Sequence, residues 1–128
     1  MPNKPVIDFE YDPIVKGPCA SVAYARRANG NRPAKEYIEK LQQSDQAKLS
    51  KSFRTIAETG RIFNKERFRH LRGKIYEFKV HPKVRVLCFQ MNKTWYLTHG
   101  FDKETGDTPG RQIDCAEDIM NEHISRSR

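Results

Sequence analysis

Glu77, Lys79, Arg85 and His99, with Lys103 just beyond them, are the residues of this chain whose types and spacing could act together on a phosphodiester. They lie in a stretch, Phe68 to Phe101, built of apolar, β-branched and aromatic runs separated by His81-Pro82-Lys83 and Asn92-Lys93-Thr94. Strand formers at this spacing, with turn formers between them, predict an antiparallel meander over about Lys74–Val80, Val84–Met91 and Trp95–Phe101. Side chains alternate along a strand, so Tyr76, Phe78 and Val80 share one face, and Ile75, Glu77 and Lys79 the other. Hairpin pairing then puts Lys79 opposite Arg85, Glu77 opposite Leu87, and His99 near Leu87, which gathers the polar residues into one patch. A one-residue slip would swap the faces.

Such a patch suits RNA cleavage. The 2′-OH is an internal nucleophile, so an enzyme needs only to take its proton, stabilise charge on the phosphorane-like state and protonate the leaving 5′-oxygen. Glu77, His99 or a lysine of lowered pKa could be the base. The guanidinium of Arg85 is a fixed fork matched to phosphate oxygens. No metal is required, no carboxylate cluster that would hold one is visible, and no cofactor is called for. Plainer readings stand beside these. Arg85 could simply pair with Glu77, His99 could be a half-buried histidine bonded to a neighbour, and Lys79 could protect a solvent face. Tyr76 and Tyr96 read as core or half-core, though a tyrosine at the rim could stack on a base.

The elements that must position this patch are legible on either side. Ser21–Ala25 is a short strand candidate that belongs beside the meander as a fourth strand, ended by Arg26-Arg27 and Asn29-Gly30-Asn31. Pro33 opens a helix carrying Tyr37, Ile38 and Leu41. Ser44 or Asp45 can cap a second helix, with Leu49, Phe53, Ile56 and Ala57 as its apolar stripe and Gly60 at its end. Thr108 as N-cap and Pro109 at the first position start the last helix, lined by Ile113, Ala116, Met120 and Ile124. The order is strand, helix, helix, three strands, helix: an α+β domain with a four-stranded, mainly antiparallel sheet. Residues 1–20 read as an N-terminal extension, and Val6–Tyr11 as a short edge strand or a docking stretch.

Composition bounds the partners. The chain carries a formal net charge of +8, 37% apolar and 31% charged residues, which gives one modest core under a wide polar surface. From Arg26 to Lys74 there are 14 Lys or Arg against 5 Asp or Glu, and from Asp102 to Arg128 only 4 against 7. A basic body of this kind implies a polyanionic or acidic partner. Arg61, Lys65, Arg67, Arg69, Arg72 and Lys74 concentrate that charge in a connection ahead of the meander, and are the candidate nucleic-acid contacts. The three cysteines, Cys19, Cys88 and Cys115, form no CxxC pair and argue against a zinc site or disulfide scaffold, Cys88 reading as a buried inert thiol. No stretch resembles a membrane span or an export signal, so a cytoplasmic location is expected.

From about Ser21 onward the chain resembles the RelE/ParE toxin superfamily, and within it the HigB-like, phage-Gp49-like branch of type II toxin–antitoxin systems. The resemblance rests on Leu71-Arg72-Gly73, Ile75-Tyr76-Glu77-Phe78-Lys79, Val84-Arg85-Val86-Leu87, Tyr96-Leu97-Thr98-His99-Gly100-Phe101-x-Lys103 and Thr108-Pro109-x-x-Gln112-Ile113. It implies a RelE-like fold over residues 21–128 and an endoribonuclease that cuts translated mRNA on the ribosome. It also implies a cognate antitoxin, often a helix-turn-helix protein. Carried over, Arg85 contacts phosphate, and the His99–Lys103 segment transfers protons or binds phosphate. Lys79 stands where the family usually has arginine, and Glu104 and Asp107 stand where it is richer in lysine. Two rivals follow: a ParE-like gyrase inhibitor, and a catalytically inactive binder of nucleic acid or protein, suggested by Glu104 and Asp107.

Overall fold

In the computed structural model, which describes residues 5–104 and 106–126, strand β5 (Val84–Met91) is the spine of the molecule. Every residue from Val84 to Phe89 is buried, because helices cover the sheet on both sides of it. Continuous burial explains why this run is apolar at nearly every position rather than alternating. Arg85 is the exception.

Around β5 the sheet has six strands: β1 (Val15–Lys16), β2 (Ser21–Tyr24), β3 (Phe68–Arg72), β4 (Ile75–Val80), β5 and β6 (Thr94–Asp102), in the spatial order β1-β2-β6-β5-β4-β3. The pairings are antiparallel except β2 with β6, which run parallel. The predicted α+β class and the central meander are present, but the count of four strands is corrected to six. The stretch read as a basic connection contains β3, in which Phe68 pairs with Phe78 and Arg69 with Glu77. Its charged residues mask an edge strand whose Phe68 is buried against Phe78. The other addition, β1, is too short to show a period. Ahead of it, the Val6–Tyr11 stretch forms no strand, and Ile7 and Phe9 pack against the core. Residues 1–4 of the expected extension lie outside the described residues.

One sheet face is covered by α1 (Pro33–Glu39) and α2 (Gln43–Thr59). Ile38, Leu49, Phe53 and Ile56 are fully buried there against Tyr24, Phe78, Val86 and Leu97. Phe53 meets Phe78 edge to face at 4.9 Å. Truncating a phenylalanine so placed costs about 3–5 kcal/mol. Pro33 opens α1 as expected, and Gly60 ends α2 in the left-handed region at φ 82°. Neither Ser44 nor Asp45 caps α2: Gln42 holds the N-cap position with an extended backbone and no side-chain cap bond.

The opposite face is covered by α3 (Gly110–Arg126), which packs Ala116 and Ile119 on Ile75, Leu87 and Phe89. The far end of α3 is clamped by the segment after β2. Arg27 donates to Glu122 at 2.6 Å, the Ala28 amide donates to the same carboxylate at 2.7 Å, and the Arg26 amide donates to His123 Nδ1 at 3.0 Å.

Two local devices decide which face each β6 side chain takes. Asn92 and Lys93 both have positive φ, 52° and 64°, giving the two-residue turn whose twist suits a hairpin. Trp95 then pairs with Gln90, and Leu97 with Cys88. Between Leu97 and His99 the register shifts, so that Leu87 pairs with His99 and Thr98 is the extra residue of a β-bulge. Without the bulge Leu97 and His99, two apart, would share a face. With it, Leu97 fills the core under α1 and α2 while His99 turns to the face under α3. Gly100 follows because the Tyr37 ring of α1 lies against it: a Cβ there would sit 2.0 Å from Tyr37 Cδ2.

Candidate functional site

The register brings the expected patch together on the α3 side of the sheet. Lys79 pairs with Arg85, Glu77 with Leu87, and Leu87 with His99. Four polar side chains from three adjacent strands thus share one face, each held by a strand buried on its other side.

Arg85 is 3% exposed, and among the described residues no acid lies within 4 Å of it. Its Nη1 donates to the Val84 carbonyl at 2.9 Å, and its Nε is buried with no acceptor. A guanidinium held this way lacks the counter-charge that normally accompanies a buried cation. Glu77 does not fill that role. Its fully buried carboxylate accepts from Arg69 Nε at 3.2 Å and from the Thr108 hydroxyl. The pairing of Arg85 with Glu77 is therefore replaced by Arg69 with Glu77, across β3 and β4. Arg69, read as a nucleic-acid contact, also approaches Asp107 at 3.9 Å.

Lys79 is half-buried, and its pKa is lowered, by burial first and then by the nearby Arg69. Arg85 adds to this in the same direction. His99 is 8% exposed, and burial holds its pKa below the ordinary value, with the hydrogen bond to Gln112 opposing. Gln112 Oε1 can only accept, so the bond of 2.8 Å places the imidazole proton on Nε2. Nδ1 of the neutral ring then faces the Thr98 hydroxyl at 3.2 Å. The bulge that aims His99 thus also supplies its second neighbour.

What covers the patch is the start of α3 and the loop leading to it, through Thr108 on Glu77 and Gln112 on His99. Thr108 is accordingly not the N-cap. Its hydroxyl is committed to Glu77, the helix begins at Gly110, and the Pro109 carbonyl receives the Ile113 amide. Lys103 lies outside the cover. Its amide donates to the Lys83 carbonyl at 2.7 Å, and its side chain lines a cavity of about 320 Å³ with Phe101, Asp102, Arg111 and Gln112. Gln112 stands between that cavity and His99. The structure therefore gathers Glu77, Lys79, Arg85 and His99, and sets Lys103 apart at the mouth.

The six cations expected to form a nucleic-acid surface divide by role. Arg69 holds Glu77. Arg72 is paired with Asp114 and Glu117 of α3, the latter at 2.7 Å. Arg67 donates to Ser52 at 3.0 Å. Arg61, Lys65 and Lys74 have no acidic partner within 4 Å among the described residues. Cys88 is buried, with its thiol pKa raised well above normal by desolvation, as suits an unreactive core residue. Among the described residues, no group of three or more His, Cys, Asp or Glu is placed to hold a metal.

Three contributors escaped the sequence reading: Thr108 as partner of Glu77, Gln112 as partner of His99, and Arg111 at the cavity. No local spacing signalled them, since Thr108 lies before the start of α3 at Gly110 and its contact with Glu77 follows from how α3 packs on the sheet.

Residues 36–121 match the family model described as phage derived protein Gp49-like. No curated protein matches the chain. The matched segment runs from the second half of α1 through α2, the meander with its polar patch, and most of α3. The chain belongs to the Gp49-like family of phage-derived proteins, a toxin-like family of the RelE/HigB-like group related to toxin–antitoxin systems.

Proposed function

We propose that this protein is the toxin of a type II toxin–antitoxin system and acts as a metal-independent endoribonuclease on mRNA at the ribosome, neutralised by a cognate antitoxin. The observation that carries the reading is Arg85: a buried guanidinium with an unsatisfied Nε and no acid within 4 Å among the described residues, with Lys79 opposite it on β4 and His99 diagonal to it on β6, beyond Phe101. A phosphate supplies the missing negative charge. In this reading Arg85 binds the non-bridging oxygens. Lys79, its pKa lowered, takes the 2′-OH proton in its neutral form. The 2′-oxygen attacks phosphorus, the P–O5′ bond breaks, and His99, carrying a second proton at Nδ1 as the imidazolium, gives its Nε2 proton to the leaving 5′-oxygen and returns to the neutral ring. The products are a 2′,3′-cyclic phosphate and a 5′-hydroxyl end. Glu77, fully engaged by Arg69 and Thr108, positions the neighbouring cations and does not carry protons.

Substrate entry requires Gln112 to release His99, so the first turn of α3 and the preceding loop shift when RNA binds. The ribosome, by ordering the message, supports that exchange. Expression under a regulated promoter, followed by mapping of mRNA 5′ ends, tests the reading. Cleavage and growth arrest by the native chain, both lost in a folded Arg85→Ala variant, support it. The closed state of the site favours a second reading, a binder without activity, for which intact mRNA and normal growth are the expected outcome.

A further inference from the structure

The face under α1 and α2 is uncovered near its β3 edge, and what lies there is an aromatic platform rimmed by cations. Phe63 is 80% exposed, with the Arg61 guanidinium 5.5 Å from its ring centroid. Phe68 and Tyr76 stack at 5.4 Å with an interplanar angle of 8°. His70 meets Tyr76 at 4.9 Å, its Nε2 engaged with the Gly73 carbonyl at 2.7 Å, which fixes the ring. Phe63, Lys65, Phe68, Arg69, His70 and Tyr76 border a groove of about 610 Å³.

An exposed phenylalanine beside unpaired cations is poorly placed in water and well placed for a nucleobase. Aromatic faces stack on any base, while Arg61 and Lys65 can meet the flanking phosphates. An acidic protein segment would satisfy the cations but leave the flat aromatic faces without matching planes. The nearby acid, Glu66, is turned away to His81 at 2.9 Å. Arg69 links the two faces: it borders this groove while its Nε holds Glu77 of the cleavage patch. Through Arg69 the edge strand β3 touches both the platform and the Glu77 end of the patch, with Arg85 two strands further in on β5.

We propose that this groove binds an unstacked base of single-stranded RNA, so that a strand crossing the β3 edge is gripped by its base on one face and by its phosphate on the other. The base-binding half stands without the cleavage reading. Its link to a phosphate at Arg85 rests on that reading.

The test uses the chain's single tryptophan. Trp95 lies edge-on to Tyr76 at 5.0 Å and to Phe68 at 5.2 Å, so its fluorescence reports occupancy of the platform. The native protein is titrated with hexa-adenylate RNA and with an abasic sugar-phosphate hexamer. Phe63→Ala, at an exposed position, should keep the fold and weaken hexa-adenylate roughly 5- to 150-fold while leaving the abasic hexamer unchanged. Lys65→Gln should weaken both and reduce the salt dependence. Unchanged hexa-adenylate affinity in Phe63→Ala, an equal loss for the abasic hexamer, or no binding by the native protein would overturn the proposal. Failure of the native protein to bind hexa-adenylate while it still cuts mRNA would refute this site alone. Base binding in a protein that cuts no RNA would refute the cleavage reading alone.

Discussion

Replacing Arg85 with methionine should make the protein more stable and inactive at once. The side chain is 3% exposed, donates one hydrogen bond to the Val84 carbonyl, and leaves Nε without an acceptor. An unsatisfied buried donor costs about 1–3 kcal/mol, and a buried charge without a partner more. Methionine keeps much of the apolar stem and loses a charge-assisted hydrogen bond whose net contribution is about 1.5–3 kcal/mol, less than the combined cost of the unsatisfied donor and the unpaired charge. The net expectation is a gain of about 1–2 kcal/mol, or roughly 3–8 °C in Tm for a chain of this size. Thermal and urea unfolding of Arg85→Met beside the native protein would measure it. RNA cleavage should fall on the order of 10²–10³-fold, the usual consequence of removing a donor aimed at developing charge. A folded variant that loses more than about 2 kcal/mol, and still cuts RNA, would show that Arg85 is a structural residue and refute the reasoning.

Other expectations follow from neighbouring contacts. Gly100→Ala forces a Cβ to 2.0 Å from Tyr37 and should destabilise by about 1–3 kcal/mol, with loss of activity as β6 shifts, read by urea unfolding and the cleavage assay. Thr108→Val removes a donor from the buried Glu77 carboxylate and should lower stability by about 1.5–3 kcal/mol in the same unfolding assay, whereas an exposed N-cap valine would cost nearer 1 kcal/mol. His99 and His123 both have pKa values depressed by burial, so the unfolded chain binds protons more readily. Their contribution is fully present above the ordinary histidine value of about 6.5 and declines as pH falls from there through the folded values. Urea midpoints measured from pH 7.5 down to 5 should fall, and a His123→Gln variant should show a shallower decline.

The meander and its polar face were legible because both depend on short-range rules: apolar runs between turn formers, and alternation within a strand. The placement of His99 opposite Leu87 was correct for a reason the sequence does not show. A three-residue turn at Asn92–Thr94 gives that pairing directly. The molecule reaches it with a two-residue turn at Asn92-Lys93 and a one-residue bulge at Thr98, which add the same offset. The difference matters for Leu97, which the simpler register would have put on the wrong face. Strand β3 was missed because its arginines hide the buried Phe68, and an edge strand needs only one buried flank. Since Arg69 lies on β3, the true partner of Glu77 was hidden with it, and Glu77 was left available to Arg85. Thr108 was misassigned because its local context is that of a helix cap, while a buried carboxylate 31 residues away competes for the same hydroxyl. Contacts of that separation follow from the packing of α3, not from any spacing in its own segment.

A message bound to the ribosome, carrying a single 2′-deoxynucleotide at the position that is otherwise cut, tests the proposed chemistry most directly. The mechanism predicts that the deoxy site stays intact in the presence of EDTA, while the all-ribose message is cut to a 2′,3′-cyclic phosphate and a 5′-hydroxyl end. Equal cutting of the deoxy message, or products ending in a 5′-phosphate, would contradict it.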